Sequence, residues 1–375
     1  MAEWKMVKLG DIAKTNTSTY SPKENWEFVN YLDTGSITMN TIDEYQYINT
    51  KVEKLPSRAR RKVKANSIIY STVRPNQLHY GIIKSTPANF LVSTGFTVVD
   101  VNENEAIPDF IYYALTQREV TEHLQAIAEQ SVSAYPSIKS SDLEEVEIML
   151  PDLESQKQIV SILGTIDGKI KHNVAINNNL LEQVTAKFQN MFGKYDNDKS
   201  VYRTLGTIAK FKYGTMPKKD KLGTGRHLAF SGYQVVGSYP EVMYPEPQLI
   251  IVARGVGGCG EIKYTPANCY LTNLAIAIIT NCVEHDDYLY HYLRLHDTKV
   301  MNTGSAQPQI TVSSLEKYVI PIPTEDELLV FSNFVKPFKE LYRANVATNE
   351  RLTALRDTLL PKLMSSELDV SDLDL

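Results

Sequence analysis

Lys84-Ser85-Thr86-Pro87-Ala88-Asn89 returns about half a chain later as Lys263-Tyr264-Thr265-Pro266-Ala267-Asn268. Leu9-Gly10-Asp11-Ile12-Ala13-Lys14, which precedes the first copy, matches Leu205-Gly206-Thr207-Ile208-Ala209-Lys210 before the second. Downstream, Asp109-Phe110-Ile111-Tyr112-Tyr113-Ala114-Leu115 is answered by Asp287-Tyr288-Leu289-Tyr290-His291-Tyr292-Leu293, and Ser133-Ala134-Tyr135-Pro136 by Ser305-Ala306-Gln307-Pro308. One module is therefore written twice. Solenoid units repeat every 20 to 50 residues or so, far short of this period. Two copies predict a pseudo-twofold object, a form suited to a two-part target such as a duplex read at two half-sites.

Within each copy the chain reads as short strands broken by turns. Ile68-Ile69-Tyr70 and Leu249-Ile250-Ile251-Val252 are buried-strand candidates, each followed by an arginine, Arg74 or Arg254. Gly81–Lys84 and Phe90–Val92 flank the repeated Thr-Pro-Ala-Asn, whose proline suits the second position of a type I turn, so a hairpin is expected in each copy. A short helix with an aromatic face follows, from Phe110 to Leu124 and from Tyr288 to Leu295 or beyond. Each copy closes on a strand ending in proline, Val146–Leu150 before Pro151 and Tyr318–Ile322 before Pro323. Both modules are expected to be α+β.

After each proline the apolar period changes from two to three-and-four. Leu163, Ile166, Ile170, Val174, Asn177, Leu181, Val184, Phe188 and Met191 trace one heptad seam; Val335, Phe338, Tyr342, Val346, Asn349, Leu352, Leu355, Leu359 and Leu363 trace the other. Asp152 is placed to cap the first helix, and Thr324-Glu325-Asp326-Glu327 forms a capping box for the second. Helices of about 36 residues span about 54 Å, too long for either module alone, so they are expected to pair as an antiparallel coiled coil. Asn177 and Asn349 take matching seam positions, where buried asparagine fixes register. The resulting division is 1–151 first module, 152–197 first helix, 198–323 second module, and 324–375 second helix with the C-terminal tail.

Composition sets further bounds. The chain has 375 residues, 43% hydrophobic and 22% charged, an ordinary globular balance. Its apolar runs are far shorter than the roughly 20 residues of a bilayer span, and Met1-Ala2-Glu3-Trp4-Lys5 lacks a signal-peptide core, so the chain is expected in the cytoplasm without membrane attachment. Cys259, Cys269 and Cys282 form no C-x-x-C pair, and His79, His123, His172 and His285 are dispersed, so no metal site is expected. Gly255-Val256-Gly257-Gly258-Cys259-Gly260 fits G-x-G-x-x-G, yet the sequence after it reads as strand and turn, whereas a dinucleotide site needs a helix there. No phosphate-binding G-x-x-x-x-G-K-[ST] loop exists, and no Asn-Pro-Pro-Tyr or Asp-Pro-Pro-Tyr box for methylating a flipped base. No catalytic residue is assigned.

The net charge of −5 opposes nucleic-acid binding only if charge is spread evenly. It is not. Arg58-Ala59-Arg60-Arg61-Lys62-Val63-Lys64 concentrates cations in the first copy, and Lys210, Lys212, Lys218, Lys219, Lys221 and Arg226 do so in the second. We expect Arg58, Arg60, Arg61 and Lys62, and Lys218, Lys219 and Lys221, to meet phosphates, and Arg74 and Arg254 to reach base edges from corresponding places in the two modules. The acidic stretches Asp142-Leu143-Glu144-Glu145 and Asp369-Val370-Ser371-Asp372-Leu373-Asp374 should face protein or solvent.

The order module, long helix, module, long helix resembles the specificity subunit of type I restriction-modification systems over essentially the full length. Trp4-Lys5-Met6-Val7-Lys8-Leu9-Gly10-Asp11-Ile12 is similar to the start of that family's target-recognition domain, Leu153-Glu154-Ser155-Gln156-Lys157-Gln158-Ile159 to the entry of its helix, and Arg254-Gly255 with the following glycines to its arginine-glycine loop. Two departures stand out: Ser155 replaces a glutamate usual at the helix entry, and Leu328 falls opposite Gln156 in the second copy. The resemblance implies a non-catalytic subunit whose two recognition domains read a bipartite, asymmetric double-stranded DNA target, while the helix pair spaces them and docks two modification subunits. Those partners would carry S-adenosylmethionine for adenine methylation, and restriction subunits would bring ATP and Mg; this chain would carry no cofactor. The rival expectations are a self-contained methyltransferase or nuclease with a drifted motif, and a coiled-coil protein scaffold.

Overall fold

The computed structural model describes residues 4–131, 135–193, 201–255, 258–303 and 308–368. The expected acidic run at 369–374, Ser133-Ala134, Ser305 to Gln307, and Val256-Gly257 of the glycine loop lie outside them. The chain divides into two compact units, Met1–His172 with Thr348–Leu375, and Asn173–Ala347. Each unit thus takes one module and half of each long helix.

The sequence repeat is a repeat of topology. In the first unit one sheet runs Gln46–Asn49, Phe28–Leu32, Phe90–Ser93, Ala59–Arg61, and a second runs Ala13–Thr15, Phe96–Val101, Ile68–Ser71, Tyr80–Ile82. Among the described residues the second unit repeats these, without a counterpart of Ala59–Arg61, as Val235–Tyr239, His227–Phe230, Cys269–Leu271 and as Ala209–Tyr213, Ala275–Thr280, Leu249–Val252, Ile262–Tyr264. Even the exceptional parallel pairing recurs, Phe90 opposite Asn30 in one and Cys269 opposite Leu228 in the other. A two-stranded ribbon closes each module, Lys5–Lys8 with Glu147–Leu150 and Val201–Thr204 with Val319–Ile322.

The two hairpins expected around Thr-Pro-Ala-Asn do not form. Tyr80–Ile82 pairs with Ile68–Ser71 in one sheet while Phe90–Ser93 enters the other, and Ile262–Tyr264 and Cys269–Leu271 part in the same way. Hairpins favour primed turns whose twist matches the ribbon. Here proline opens the turn and a left-handed asparagine ends it, Asn89 at φ 53° and Asn268 at φ 51°. The turn then docks on the sheet that Phe90–Ser93 enters, with the Asn30 amide donating to the Asn89 carbonyl at 3.0 Å. It is a crossing between layers.

Strand periodicity explains why Ile68–Ser71 and Leu249–Val252 are buried along their whole length. Alternate side chains face opposite layers: Ile68 and Tyr70 join a core with Phe110, Ile111, Ile159 and Leu163, while Ile69 packs with Leu32, Val92 and Phe96. In the second unit Leu249 and Ile251 meet Tyr288, Phe188 and Phe331, while Ile250 meets Phe230 and Leu271. The long helices complete both cores. The aromatic-faced helix splits in the first module into Pro108–Leu115 and Arg118–Glu129, whereas Val283–Leu295 is continuous and starts earlier than expected. Burial drives the His291 imidazole of that helix down to about 3, with Arg294 and Lys339 adding to the effect, so it is neutral at neutral pH.

The long helices run Leu153–Phe192 and Glu325–Met364, 40 residues each, or about 60 Å. Asp152 accepts from the Glu154 and Ser155 amides at 3.0 and 2.9 Å, and those bonds hold its carboxyl below the usual range. Thr324 accepts from the Glu327 amide at 3.4 Å while Glu327 accepts from the Thr324 amide at 2.9 Å, so both expected caps form. Buried Gln156 accepts from the Ile107 amide and donates to the Pro151 carbonyl, each at 2.8 Å. In the second copy Leu328 is an ordinary core residue, and His285, at the place of Ile107, meets the Cys282 sulfur through its ring Nδ1 at 3.0 Å.

The helices pair antiparallel within each unit. Arg356 reaches Asp167 at 3.1 Å and Asn349 reaches the Ile170 carbonyl at 3.4 Å in the first; Asn345 donates to Asn177 at 2.8 Å and Phe331 packs on Phe188 in the second. Leu163, Ile166, Asn177, Val184 and Phe188 are buried, and Ile170, Leu181, Phe338, Asn349 and Leu359 are half-buried. The middle of the seam departs from the expectation. Val174, Tyr342, Val346 and Leu355 are exposed, and Asn173 is buried where Val174 was placed. Asn177 accepts from Asn345, and with Asn173 buried, asparagines share the centre of the seam with the aliphatic side chains.

Candidate nucleic-acid interface

The first cation cluster lies on Ala59–Arg61, an edge strand. Its backbone is held through the Arg58 carbonyl by Thr94, the Arg60 carbonyl by Tyr20 and the Lys62 amide by Ser18. The four expected phosphate contacts are not equivalent. Lys62 is engaged by Glu24 at 2.5 Å and lies over the Trp26 ring at 5.2 Å. Arg58 is exposed and Arg60 half-buried, and neither makes an ion pair among the described residues. Arg61 is half-buried with its Nε enclosed and without a hydrogen-bond partner, and desolvation lowers its pKa.

In the second module the cluster sits between Ala209–Tyr213 and His227–Phe230. Lys218 and Lys219 are exposed, while Lys221 pairs with Glu241 at 2.7 Å, a contact that raises the lysine and lowers the glutamate. Lys210 and Lys212 are exposed on the edge strand beside it.

Arg74 and Arg254 are both exposed and free of ion pairs among the described residues, and each guanidinium lies over a tyrosine, 5.3 Å from the Tyr135 ring centroid and 5.9 Å from that of Tyr213. Their positions correspond less closely than the sequence suggests. The Thr72 amide bonds the Gly95 carbonyl while its own carbonyl accepts from Ile138; Ala253 bonds Leu274 and Ile310 in the same two ways. Arg254 therefore stands at the place of Val73, bridged to Gln309 as Val73 is to Ser137. Arg74 lies one residue further on, in left-handed backbone at φ 48°, with its amide on the Pro136 carbonyl at 2.9 Å.

The glycine loop is a packing device. Gly255 has φ 124°, and a Cβ there would strike the Tyr233 hydroxyl, as one at Gly258 would strike its ring. The chain continues into the strand Ile262–Tyr264, so no helix N-terminus faces the glycines, and the dinucleotide fingerprint lacks its anion site. Tyr213 and Tyr233 carry no signal in the sequence because tyrosine is abundant here and their partners are distant, and Tyr135 is marked there only as part of the repeat. Among the described residues no cluster of three or more His, Cys, Asp or Glu is arranged to hold a metal, and no helix is long and apolar enough to cross a membrane.

Comparison with known proteins bears on this arrangement directly. The family model for the type I restriction modification DNA specificity domain matches residues 1–185 and 197–352. The specificity subunit of the type I restriction enzyme HindI from Haemophilus influenzae is 31% identical over 196 residues, 52% of this chain but only 42% of that protein. That of MjaIX from Methanocaldococcus jannaschii is 25% identical over 98% of this chain and 94% of its own. The crystal structure of the S subunit of a type I system from M. genitalium shares the fold, with a TM-score of 0.57 at 17% identity, covering 97% of this chain and 96% of that one. The duplicated modules, the paired helices and the matched family model together place this chain in the family of type I restriction-modification specificity subunits.

Proposed function

We propose that this chain reads a bipartite, asymmetric sequence in double-stranded DNA, one half-site per module. As a type I specificity subunit it supplies target recognition within a restriction-modification complex and is itself non-catalytic. The observation that carries the bipartite reading is the recurrence, in both modules, of a cation cluster and of an exposed arginine backed by a tyrosine. Two modification subunits would dock on the helix pair and bring S-adenosylmethionine for adenine methylation. Restriction subunits would add ATP-dependent translocation with Mg, and the assembly would act on host DNA in the cytoplasm. Mapping methylated adenines in host DNA with and without the gene tests this. A two-part motif that vanishes on deletion is expected, whereas an unchanged pattern overturns the reading. Methyl transfer by the isolated chain would point to a self-contained enzyme, and partner capture insensitive to DNA and salt would point to a scaffold.

Phosphate contacts carry no sequence information but set the salt dependence. The Arg60→Ala, Arg61→Ala double variant is expected to weaken all duplexes alike and reduce the slope of log K against log salt by about one unit per lost contact. Titrations at low and moderate salt check it; identical slopes would remove both arginines from the interface.

A further inference from the structure

We propose that Tyr233 is a positioning residue for Arg254, setting the direction in which the second module offers its guanidinium to DNA. The inference rests on the assignment of Arg254 as a base-reading side chain. Tyr233 donates from its hydroxyl to the backbone carbonyl of Arg254 itself at 2.7 Å. A phenol is a donor at neutral pH, and burial raises the pKa of this one further. Its ring fills the space that side chains at positions 255 and 258 would need, so glycine at both lets the backbone approach it.

Tyr233 is itself held by a tight turn after His227–Phe230, where the Ser231 hydroxyl accepts from the Tyr233 and Gln234 amides at 3.3 and 3.1 Å. On the other side, Ala253 is anchored to Leu274 and Ile310. Arg254 is thus fixed before its Cα by the sheet and after it by the phenol, while the Tyr213 ring underlies the guanidinium. A two-pronged contact to a base edge tolerates only about 10 to 20° of error, so a backbone anchor at the arginine bears on discrimination. The first module solves the problem differently: the Arg74 amide bonds Pro136. The effect belongs to one half-site.

The test uses the full chain with its modification subunits and duplexes carrying the mapped target, each base pair of either half-site being replaced in turn. Tyr233→Phe keeps the ring and removes the hydrogen bond. It is expected to reduce discrimination about threefold to tenfold, the worth of one such bond, at the half-site that Arg254→Ala also relaxes. Discrimination at the other half-site and the salt slope stay unchanged, and in the Arg254→Ala background Tyr233→Phe adds nothing. Wild-type discrimination by Tyr233→Phe beside an active Arg254→Ala overturns the positioning role alone, as does equal loss at both half-sites or additivity with Arg254→Ala. An inert Arg254→Ala overturns the base-reading assignment and the inference built on it.

Discussion

Lys339→Met is expected to destabilise the second unit by about 3 kcal/mol, the low end of the range for removing one partner of a buried ion pair. Asp287, with 3% of its side chain exposed, holds Lys339 at 2.6 Å and accepts from the Ser332 hydroxyl at 2.7 Å. The lysine is 24% exposed and lies over the Tyr264 ring, so the pair joins the aromatic-faced helix of the module to the second long helix. Methionine preserves most of the stem's packing but leaves an acid enclosed with one hydroxyl donor. Adding Asp287→Asn should restore most of the loss, because neither partner then carries a buried charge and the Ser332 bond survives. Urea denaturation of the single and double variants checks this. A single variant within about 0.5 kcal/mol of wild type, the range of ordinary surface substitutions, would show that the pair does not brace the module.

The first module is braced to the helices by different residues, which shows where reading the sequence stops. Tyr113, at the place of His291, donates to Asp167 at 2.8 Å, and Asp167 meets Arg356. Nothing in the hexapeptide repeats announces that one copy uses a tyrosine and the other a lysine pair, because the partners lie on the long helices, outside the repeated stretches. What was legible is what period and order determine: two α+β modules, two long helices, both caps, and a glycine loop that leads into a strand.

The misses share one cause, competition settled by distant contacts. The Thr-Pro-Ala-Asn turn was recognisable, but which sheet receives the strand after it depends on Phe28–Leu32, far upstream. Val174 is the better seam residue by hydropathy, yet the helix phase buries Asn173, as expected when a helix drifts about 20° per heptad from a strict repeat. Lys62 counted as a free cation until Glu24 came beside it. Arg74 and Arg254 were matched by residue type, and the backbone ladder places them one position apart.

Four residues added to each long helix, after His172 and after Ala347, are expected to lengthen the gap between half-sites without altering either one. Those two points are where the compact units divide, so the pairings within each unit, Asp167 with Arg356 and Asn177 with Asn345, are kept. A matched insertion also leaves the two helices equal in length, and a four-residue stutter is one that a coiled coil absorbs by local unwinding. Each helix grows by about 6 Å, against 3.4 Å per base-pair step. The gap therefore grows by at most about two base pairs, and by one if the helices run oblique to the duplex. Adenine mapping in cells carrying the variant reads both quantities at once, since the half-sites and the spacing appear in the same motif. A folded variant that methylates the original spacing would show that the helix pair does not set the distance, and one that changes the half-site bases would show that recognition is not confined to the modules.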